Sequence, residues 1–362
     1  MIAQPIQAAG PAPPVCAACG GHQLSQRFRV ASDPGEAGLI PTTDRFGAAL
    51  DDIVRCRGCG HLRLAGPAAV ELLSDGYERA RCTDYLNEEV GQRASARRTL
   101  AMITRHTAPG ALLDIGCWLG FLLDEARRAG WRGVGMEPSR FASGYAREQL
   151  GLDVRTGGLF DVELPPAAFD AVVLADVLEH LPDPGAALER IRTLTRPGGL
   201  LFLALPDAGS LVARALGRRW WSVIPTHVQY FTRHSLAVLL TRSGWETLAL
   251  TTSPKAFTLG YYVGRIGGYS RPLAGWLSAA SRRAGVAERL VAPDFGDRMA
   301  VVARASGCTE HFRWWSTHAT AAMAPACSPP TTARSNSSRT TCWRSMGTGS
   351  SPVPTCAGCW CC

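Results

Sequence analysis

The chain contains 362 residues, and 46% of them are hydrophobic, so it can bury a sizeable core in two domains or in one domain with additions. Its formal net charge is +8, but the basic residues are scattered, nearly all are arginine, and no run of five occurs, which argues against a nucleic-acid partner. No stretch has the roughly 18 uncharged apolar residues that cross a bilayer. The first 15 residues lack the basic start and apolar stretch of a signal peptide, so we expect a cytoplasmic protein with reduced cysteines.

The N-terminal part of the chain has the pattern of a small zinc ribbon. Residues 1–15 are rich in proline and alanine and are predicted to form a disordered leader. Two Cys-x2-Cys-Gly segments follow within residues 16–66, and their cysteines are Cys16, Cys19, Cys56 and Cys59. Four thiolates in two such turns form the tetrahedral ligand set of a structural Zn²⁺, which has no open position for catalysis. A redox pair, or a ribbon that has lost its metal, is the alternative.

Residues 67–107 are predicted to be a linker or lid that leads into the main domain. A short helix is expected at residues 67–73, and an irregular segment with Tyr77 and Tyr85 follows it. An amphipathic helix is then expected at residues 88–106. A position just before the main domain suits a lid, whereas ordinary core or surface packing is the alternative for both tyrosines.

Residues 111–120 form the centre of the predicted main domain. An apolar run ends at Asp114 and turns through Gly116 and Gly120, where glycine lets the backbone approach a ligand closely. A helical pattern and a second apolar run follow, and the second run ends at Glu137. This order of strand, glycine turn, helix, strand and acid is that of a nucleotide-binding βαβ unit, in which the acid accepts hydrogen bonds from the ribose hydroxyls.

The alternation of helices and strands continues to about residue 305 and predicts an α/β fold. The predicted helices after the βαβ unit span 139–150, 185–195 and 233–244, and the predicted strands span 152–156, 169–177, 200–205, 245–251 and 298–304. Ser139 is expected to cap the first of these helices. Segment 169–177 is almost entirely apolar, as expected for a strand buried on both faces of a parallel sheet.

The sequence from residue 112 to about 305 resembles the class I S-adenosylmethionine (SAM) dependent methyltransferases. Their first motif is acid-x-Gly-x-Gly-x-Gly; Asp114, Gly116 and Gly120 match it, and Trp118 replaces the middle glycine. The segments FDAVVLADVLEHLPDP, RPGGLLFLALP and HVQYFTRHSLAVLLTRSGW resemble one large branch of this family. A zinc-binding module ahead of such a core resembles the sugar C-methyltransferases and related enzymes of glycan and natural-product pathways.

This resemblance implies a Rossmann-like, seven-stranded sheet with SAM bound beyond the carboxyl ends of its strands. The residues expected to bind SAM are Asp114, Gly116, Cys117, Gly120, Glu137, Leu159, Phe160 and Ala175. Trp118 is bulky where the methionine part of SAM would pass, so either the loop is splayed or the side chain points away. The acceptor is expected to be a small molecule, namely a sugar, a glycan or another secondary metabolite.

Two histidines are candidate general bases. His180 follows segment 169–177, where it would face the transferred methyl group, and imidazole titrates near neutral pH; a helix-start residue satisfied by backbone is the alternative. The spacing of Asp176, Glu179 and His180 resembles the Glu-x-x-Glu-His metal site of some ubiquinone-pathway O-methyltransferases, with aspartate in place of the first glutamate. His227 lies in a segment that resembles the part of sugar C-methyltransferases carrying the proposed base, but without its tyrosine and glutamate. O-methylation is therefore favoured over C-methylation.

Two segments after residue 255 fall outside the simple alternation. Residues 256–293 are predicted to form a helical insertion, either a substrate cap, a peripheral membrane contact through residues 256–291, or an excursion packed on the core. Residues 306–362 contain no leucine, isoleucine, lysine or aspartate and show no periodicity. They are predicted to be disordered, and their composition fits translation in a shifted reading frame. The sequence predicts no particular oligomeric state.

The sequence thus favours a SAM-dependent methyltransferase with an N-terminal zinc module. The first alternative is a zinc-ribbon nucleic-acid-binding protein with a degenerate α/β domain, which Trp118 supports. The second is an NAD(P)-dependent enzyme that uses the same βαβ unit. It would need a glycine-rich crevice long enough for a dinucleotide, and the segments after the predicted strand at 169–177 do not fit such an enzyme.

Overall fold

The computed structural model describes residues 15–32, 46–66, 73, 76–80 and 84–306, and the statements below concern these residues. The side chains of residues 84 and 85 are excepted, so the predicted lid position of Tyr85 is not described. The predicted leader except Val15, the predicted helix at 67–73 except Leu73, and the tail beyond Ser306 also lie outside the described residues.

A four-stranded antiparallel sheet forms beside the N-terminal cysteines. Its first three strands are β1 (Leu24–Phe28), β2 (Ile53–Cys56) and β3 (Leu62–Leu64). The fourth strand, β9 (Gln229–Tyr230), comes from far along the chain and pairs with β3. A segment of the main domain therefore completes the N-terminal sheet.

Apolar side chains bury the contact between this sheet and the segment around β9. The buried members of this shared cluster include Ile53, Leu62, Leu64, Trp220, Val223, Val228 and Tyr230. Each fully buried side chain of this kind contributes about 1.5–3 kcal/mol relative to exposure. The N-terminal sheet and this part of the main domain thus share one core.

A seven-stranded sheet forms the centre of the main domain. Its strands are β4 (Ala111–Ile115), β5 (Arg132–Glu137), β6 (Val154–Thr156), β7 (Phe169–Ala175), β8 (Thr195–Pro206), β10 (Trp245–Thr252) and β13 (Arg298–Ala305). They lie in the order β10-β13-β8-β7-β4-β5-β6. Strand β13 is antiparallel to both of its neighbours, and the other adjacent pairs are parallel. The predicted fold class, a Rossmann-like α/β fold with a seven-stranded sheet, is confirmed.

Helices accompany the strands of the main domain. They are α1 (Asp84–Asn87), α2 (Glu89–Ile103), α3 (Phe121–Arg128), α4 (Arg140–Glu148), α5 (Pro184–Leu194), α6 (Leu211–Leu216) and α7 (Arg233–Arg242). Two apolar clusters cover the two faces of the sheet, and residues of β7 alternate between them. Val172 and Leu174 belong to one cluster, and Ala171 and Val173 belong to the other, which explains why this strand is apolar throughout.

Local signals in the sequence determine where several of these helices and strands begin. Ser139 caps α4 as predicted, because its hydroxyl accepts a hydrogen bond from the Ala142 amide at 3.1 Å. The strand that was expected at 200–205 begins earlier in the structure, since β8 starts at Thr195. Thr195 pairs with Phe169, and a register shift after that pair accommodates the glycines within the strand.

The insertion at 256–293 packs on helix α2. It contains β11 (Phe257–Thr258), α8 (Leu259–Arg265), α9 (Arg271–Arg283) and β12 (Leu290–Val291). The Glu88 carboxylate accepts hydrogen bonds from the Thr258 amide at 2.8 Å and from its hydroxyl at 2.6 Å. A Cβ on Gly91 would lie 2.2 Å from the Ala256 carbonyl oxygen, so this close approach requires glycine. None of the helices in the described ranges is long and apolar enough to cross a membrane.

An ion-pair network joins α2 to α3. The Arg93 guanidinium lies 2.6 Å from the Asp124 carboxylate and 3.0 Å from the Glu125 carboxylate, and both acids are buried. The exposed side chains of Arg97, Arg127 and Arg128 complete the network from its edge. The network fixes α2 beside the glycine turn that precedes α3.

Candidate active site

A cavity of about 850 Å³ lies at the carboxyl ends of β4, β5 and β7. Its wall includes all but one of the residues predicted to bind SAM: Asp114, Gly116, Cys117, Glu137, Leu159, Phe160 and Ala175. The exception, Gly120, precedes α3 with a φ of +82°. A Cβ on Gly120 would lie 2.7 Å from Leu152 Cδ1, so glycine is required there for helix packing rather than for lining the cavity.

The Glu137 carboxylate is held in place at the end of β5. Its Oε2 accepts a hydrogen bond from the Trp118 amide at 2.9 Å, and its Oε1 accepts one from the Ser139 amide at 2.8 Å. Burial raises the pKa of Glu137 to about 7. Each carboxylate oxygen can accept a further hydrogen bond, so Glu137 can bind the two hydroxyls of a ribose.

Trp118 departs from the glycine pattern in residue type but not in backbone conformation. Its φ is +48°, in the left-handed region that glycine normally occupies. Its ring packs beside the cluster of Leu119, Phe121 and Ala142, while the residue also lines the cavity. The glycine turn therefore keeps its shape with tryptophan at this position.

Asp114 is the second carboxyl group on this wall. Burial, together with the nearby Glu137 carboxylate, raises the pKa of Asp114 to about 8. Leu159 is buried beside the cavity, whereas the Phe160 side chain is 63% exposed at its rim. Two acids and an apolar rim suit a ligand that has a positive charge, hydroxyl groups and an aromatic base.

His180 lies on the cavity wall, directly after β7. Its Nδ1 is 2.7 Å from the Tyr77 hydroxyl and 2.8 Å from the Thr226 carbonyl oxygen. Burial lowers the pKa of His180 below its usual value, so the ring is neutral at pH 7 and can accept a proton. Its Nε2 has no hydrogen-bond partner in the part of the chain that the structure describes. The sequence pointed to His180 but gave no sign of its contact with Tyr77.

His227 lies behind His180. The two rings are 4.7 Å apart and meet edge to face, but His227 is not on the wall of the cavity. Burial lowers the pKa of His227 well below its usual value, and its Nδ1 has no hydrogen-bond partner among the described residues. A catalytic role for His227 stays a prediction, since it contacts the cavity only through His180.

Asp176 follows β7 and forms ion pairs with two cations. Its Oδ2 is 2.5 Å from Lys255 Nζ, and its Oδ1 is 2.5 Å from Arg298 Nη2. All three residues line the cavity. The spacing of Asp176, Glu179 and His180 resembles a metal site, but both oxygens of Asp176 are thus engaged by cations. The sequence gave no signal that Lys255 and Arg298 would lie at this site.

Glu179 is buried beside the two histidines. Burial and the nearby Asp176 raise the pKa of Glu179 to about 8, and its carboxyl oxygens have no hydrogen-bond partner among the described residues. One ligand atom each from Glu179, His180 and His227 lies within 4.8 Å of the others. These three residues, rather than Asp176, are therefore the group that is close enough together to share an ion.

The four predicted zinc ligands lie together in the N-terminal sheet. The Sγ atoms of Cys16 and Cys59 are 3.5 Å apart, and those of Cys19 and Cys56 are 3.6 Å apart. All four sulfurs lie within 4.8 Å of one another. A zinc ion with Zn–S bonds of about 2.3 Å has sulfurs roughly 3.8 Å apart in a tetrahedron, so these cysteines fit Zn²⁺.

Comparison with known proteins agrees with this fold. Residues 86–250 match the family model described as "Methyltransferase domain". A "Ubiquinone biosynthesis O-methyltransferase" of Rhodopseudomonas palustris is 35% identical over 98 residues, which are 26% of this chain and 38% of that protein. A protein of the same description from Bradyrhizobium is 34% identical over 118 residues, which are 31% of this chain and 42% of that protein. The chain spans less than half the length of these curated relatives.

Among solved structures, a 1,6-didemethyltoxoflavin-N1-methyltransferase of Burkholderia thailandensis aligns with 71% of this chain and 96% of its own, with 18% identity and a TM-score of 0.43. A similarity of this size has no bearing on the function of this chain.

Proposed function

We propose that this chain, whose residues 86–250 match the family model described as "Methyltransferase domain", transfers a methyl group from SAM to an oxygen atom of a small-molecule acceptor. The observation that carries the proposal is the wall formed by Asp114, the left-handed turn at Gly116 and Trp118, and Glu137. A backbone turn beside two carboxyl groups supports the binding of a cationic nucleoside.

SAM, when bound, supplies a methyl group that its sulfonium has already activated. Glu137 would bind the ribose hydroxyls, and Leu159 and Phe160 would lie against the adenine. Asp114 would face the positively charged part of the ligand, since its carboxyl group lines the same wall. The remaining work of the protein is to align the acceptor with the methyl group and to exclude water.

His180 is the proposed general base. Its neutral ring would take the proton of the acceptor hydroxyl at Nε2, and the acceptor oxygen could then receive the activated methyl group that SAM would supply. The contacts of Nδ1 with Tyr77 and Thr226 support this role, because they fix the orientation of the ring. Imidazole is basic enough to take a proton from an acceptor hydroxyl. Methylation of a carbon beside a ketone first requires removal of a proton from that carbon, which needs a stronger base.

The relatives from Rhodopseudomonas and Bradyrhizobium are O-methyltransferases by name, which supports an oxygen acceptor. We therefore place O-methylation ahead of C-methylation for this chain. We keep a sugar, a glycan or another secondary metabolite as the proposed broader class of acceptor. The cavity wall has both apolar and charged groups that could bind such a molecule.

We also propose a structural Zn²⁺ bound by Cys16, Cys19, Cys56 and Cys59. Their sulfur positions support it, and a site closed by four cysteines acts on folding rather than on the reaction. The ion would hold the turn before β1 against the turn between β2 and β3.

The insertion supports a further proposal, a peripheral contact with an anionic membrane through α9. Leu273 and Trp276 are 46% and 67% exposed, and Arg282 and Arg283 follow in the last turn of the helix. Wild type should sediment with phosphatidylserine vesicles, and Trp276→Ser should not. Leu211→Ser, at an exposed leucine of α6, should sediment like wild type. Equal sedimentation of wild type and Trp276→Ser would remove this proposal.

The main experiment is calorimetric titration of the full chain with SAM and with S-adenosylhomocysteine. We expect both to bind, and Glu137→Gln to weaken both by roughly tenfold or more. Glu163→Gln removes an exposed carboxylate outside the cavity and should leave affinity unchanged. A folded wild type that binds neither compound would favour the alternative, a nucleic-acid-binding protein with a degenerate α/β domain. Methyl transfer is then measured with a panel of hydroxylated aromatic acids and sugars.

A further inference from the structure

We infer that Lys255 and Arg298 form a subsite for an anionic group on the methyl acceptor, a carboxylate or a phosphate. This inference rests on the proposed methyl transfer and specifies the class of acceptor. Both cations lie on the cavity wall, and both approach the Asp176 carboxylate. Lys255 is the only lysine in the chain, whose other basic side chains are arginines and histidines.

The position of this cation pair in the sheet separates it from the groups proposed for SAM. Asp114 and Glu137 lie at the carboxyl ends of β4 and β5, whereas Asp176 follows β7 and Arg298 begins β13. Strand β13 is three places from β4 in the sheet, which corresponds to about 14 Å at the usual strand spacing. The cations therefore face the part of the cavity that the acceptor would occupy.

The directions of the strands bring Arg298 and Lys255 to the end of the sheet where the carboxyl ends of β8 and β10 lie. Arg298 pairs with Pro206 at the carboxyl end of β8, because β13 runs antiparallel to it. Thr252 at the end of β10 pairs with Met299, and Lys255 follows shortly after it. The backbone near Lys255 is held by the insertion, since its carbonyl oxygen accepts a hydrogen bond from the Tyr262 hydroxyl at 2.7 Å.

Donors remain available on both cations after Asp176 has been paired. Lys255 has three N–H groups and one ion-pair partner among the described residues. Arg298 uses Nη2 for Asp176, and its buried Nε has no hydrogen-bond partner in the described ranges. Asp297, the acid next to it in sequence, accepts instead from Trp220 Nε1 at 3.2 Å. Two cations thus share one carboxylate at the cavity wall, which favours a ligand that brings a second negative charge.

The backbone conformation of Asp176 supports a functional role for its ion pairs with Lys255 and Arg298. Its φ is +59°, a left-handed conformation that aspartate adopts at some cost. Burial alone would raise the pKa of Asp176, but Arg298 and Lys255 hold it well below its usual range, so the carboxylate stays ionised. A fixed carboxylate keeps both cations at the wall, ready for an anionic ligand.

The test compares three small probes in the presence of saturating S-adenosylhomocysteine. The probes are 3,4-dihydroxybenzoate, its neutral amide 3,4-dihydroxybenzamide, and phenyl phosphate, and their affinities for the full chain are measured by calorimetry. We expect wild type to bind at least one anionic probe about tenfold or more tightly than the amide. The stronger of the two anions identifies the group as a carboxylate or a phosphate.

Variants assign the preference to the cation pair. Lys255→Met should remove the preference for the anion, and Lys255→Arg should keep most of it, while S-adenosylhomocysteine affinity stays within about twofold in both. Urea unfolding of each variant checks that the fold is intact. The inference is overturned if wild type binds the amide as well as the anions, if it binds no anion at millimolar concentration, or if Lys255→Met retains the preference.

A parallel loss of S-adenosylhomocysteine binding in Lys255→Met would overturn the inference in another way. It would assign the cations to the amino-acid carboxylate of the cofactor rather than to the acceptor. Failure of wild type to bind SAM or S-adenosylhomocysteine would instead contradict the proposed function. The two failures are therefore distinguishable in one set of titrations.

Discussion

Asp114 and Glu137 place two carboxyl groups with raised pKa values on the wall of one cavity. Burial disfavours their ionised forms, so both hold protons to a higher pH than an exposed acid does. A cation bound beside them favours the ionised form. Binding of SAM should therefore be coupled to the release of protons from this wall.

The first prediction concerns the pH dependence of this binding. SAM affinity should rise between about pH 6 and pH 8.5, because the pKa values of Glu137 and Asp114 are about 7 and about 8. Calorimetry in buffers of different ionisation enthalpy should detect the released protons. Asp114→Asn should show a weaker pH dependence than wild type. An affinity that is flat across this range would contradict the prediction.

A rise in pH that strengthens SAM binding through these two acids should weaken the folding stability of the ligand-free protein. Their folded pKa values exceed the unfolded values of about 4, so the neutral forms are favoured by folding. This contribution is complete below pH 4 or so and is lost as the pH rises through 7 and 8. Saturating SAM should offset the loss.

The second prediction concerns His180 as general base. His180→Gln should lower kcat by roughly 10²–10⁴-fold while SAM affinity changes little, because the proton acceptor is lost but the cofactor wall is not. Because the pKa of His180 lies below its usual value, wild-type activity should persist at pH values below 6.5 or so. Turnover is measured on the best acceptor of the panel.

A matched control for this prediction is His234→Gln, at an exposed histidine of α7. Its kcat should equal that of wild type. Full turnover by His180→Gln would show that His180 is not the base, and His227→Gln would then be the next variant to measure.

At the residue scale, the sequence could identify groups at or just beyond the carboxyl end of a predicted strand. Asp114, Glu137 and His180 all occupy such positions, and all line the cavity. The sequence could not identify Lys255 or Arg298 as their neighbours. Those two reach the cavity because β13 pairs with β8 and β10 pairs with β13, and no local pattern records such pairing between distant segments.

At the element scale, helix α2 is attached to the main domain through buried ion pairs as well as through the apolar side chains of Leu100 and Ile103. The Arg93 side chain is only 12% exposed, and it contacts two buried acids of α3 and the ring of Phe121. Burial opposes ionisation of Asp124, but Arg93 and Arg127 hold the pKa of Asp124 below its usual value. This contribution to stability is present above pH 4 or so and is lost as the pH falls through the folded pKa.

The third prediction is that Arg93→Ala destabilises the protein by about 3 kcal/mol, because it leaves two buried carboxylates paired only with arginines that are more than half exposed. Arg97→Ala removes a side chain that is 57% exposed from the same network and should change stability by less than about 1 kcal/mol. Urea unfolding at neutral pH measures both. Similar losses for the two variants would mean that the buried pairs contribute no more than the exposed one.

The helices and strands of the main domain could be predicted from hydrophobic periodicity, with ends displaced by a few residues. The helical pattern expected after the glycine turn forms α3, which begins at Phe121 because the left-handed Gly120 precedes it. The ion pairs between α2 and α3 could not be predicted. They depend on the orientation of two helices that are separated by a strand in the sequence.

At the scale of the whole molecule, the N-terminal sheet is not an independent unit. Strand β9 of the main domain completes it, and His61 Nε2 lies 2.9 Å from Gln229 Oε1. The adjacent Val228 amide donates to the Glu179 carbonyl oxygen at 2.9 Å. The cysteine site is therefore linked through one short segment to the wall that has His180.

The fourth prediction follows for the zinc site. Purified protein should contain about one zinc ion per chain. Chelation, or Cys56→Ser, should lower Tm and also reduce methyl transfer, because β9 and the adjoining wall lose their support. Adding zinc back should restore both in the chelated wild type. A protein that contains no metal and has the same Tm with or without a chelator would contradict the prediction.

The sequence identified the four cysteines from their spacing and separated them from the main domain near residue 66. It could not show that residues 229–230 join the N-terminal sheet. A two-residue strand has no periodicity of its own, and its pairing with Leu62 and Arg63 depends on the complete fold.

The shared sheet has a practical consequence for anyone who wishes to prepare a smaller catalytic fragment. Excision of residues 1–66 would leave the edge of β9 unpaired and would expose Trp220, Val228 and Tyr230 to solvent. Uncovered strand edges beside apolar side chains promote self-association. Such a fragment should be recovered as aggregates, so expression vectors for crystallisation or directed evolution should retain the N-terminal residues.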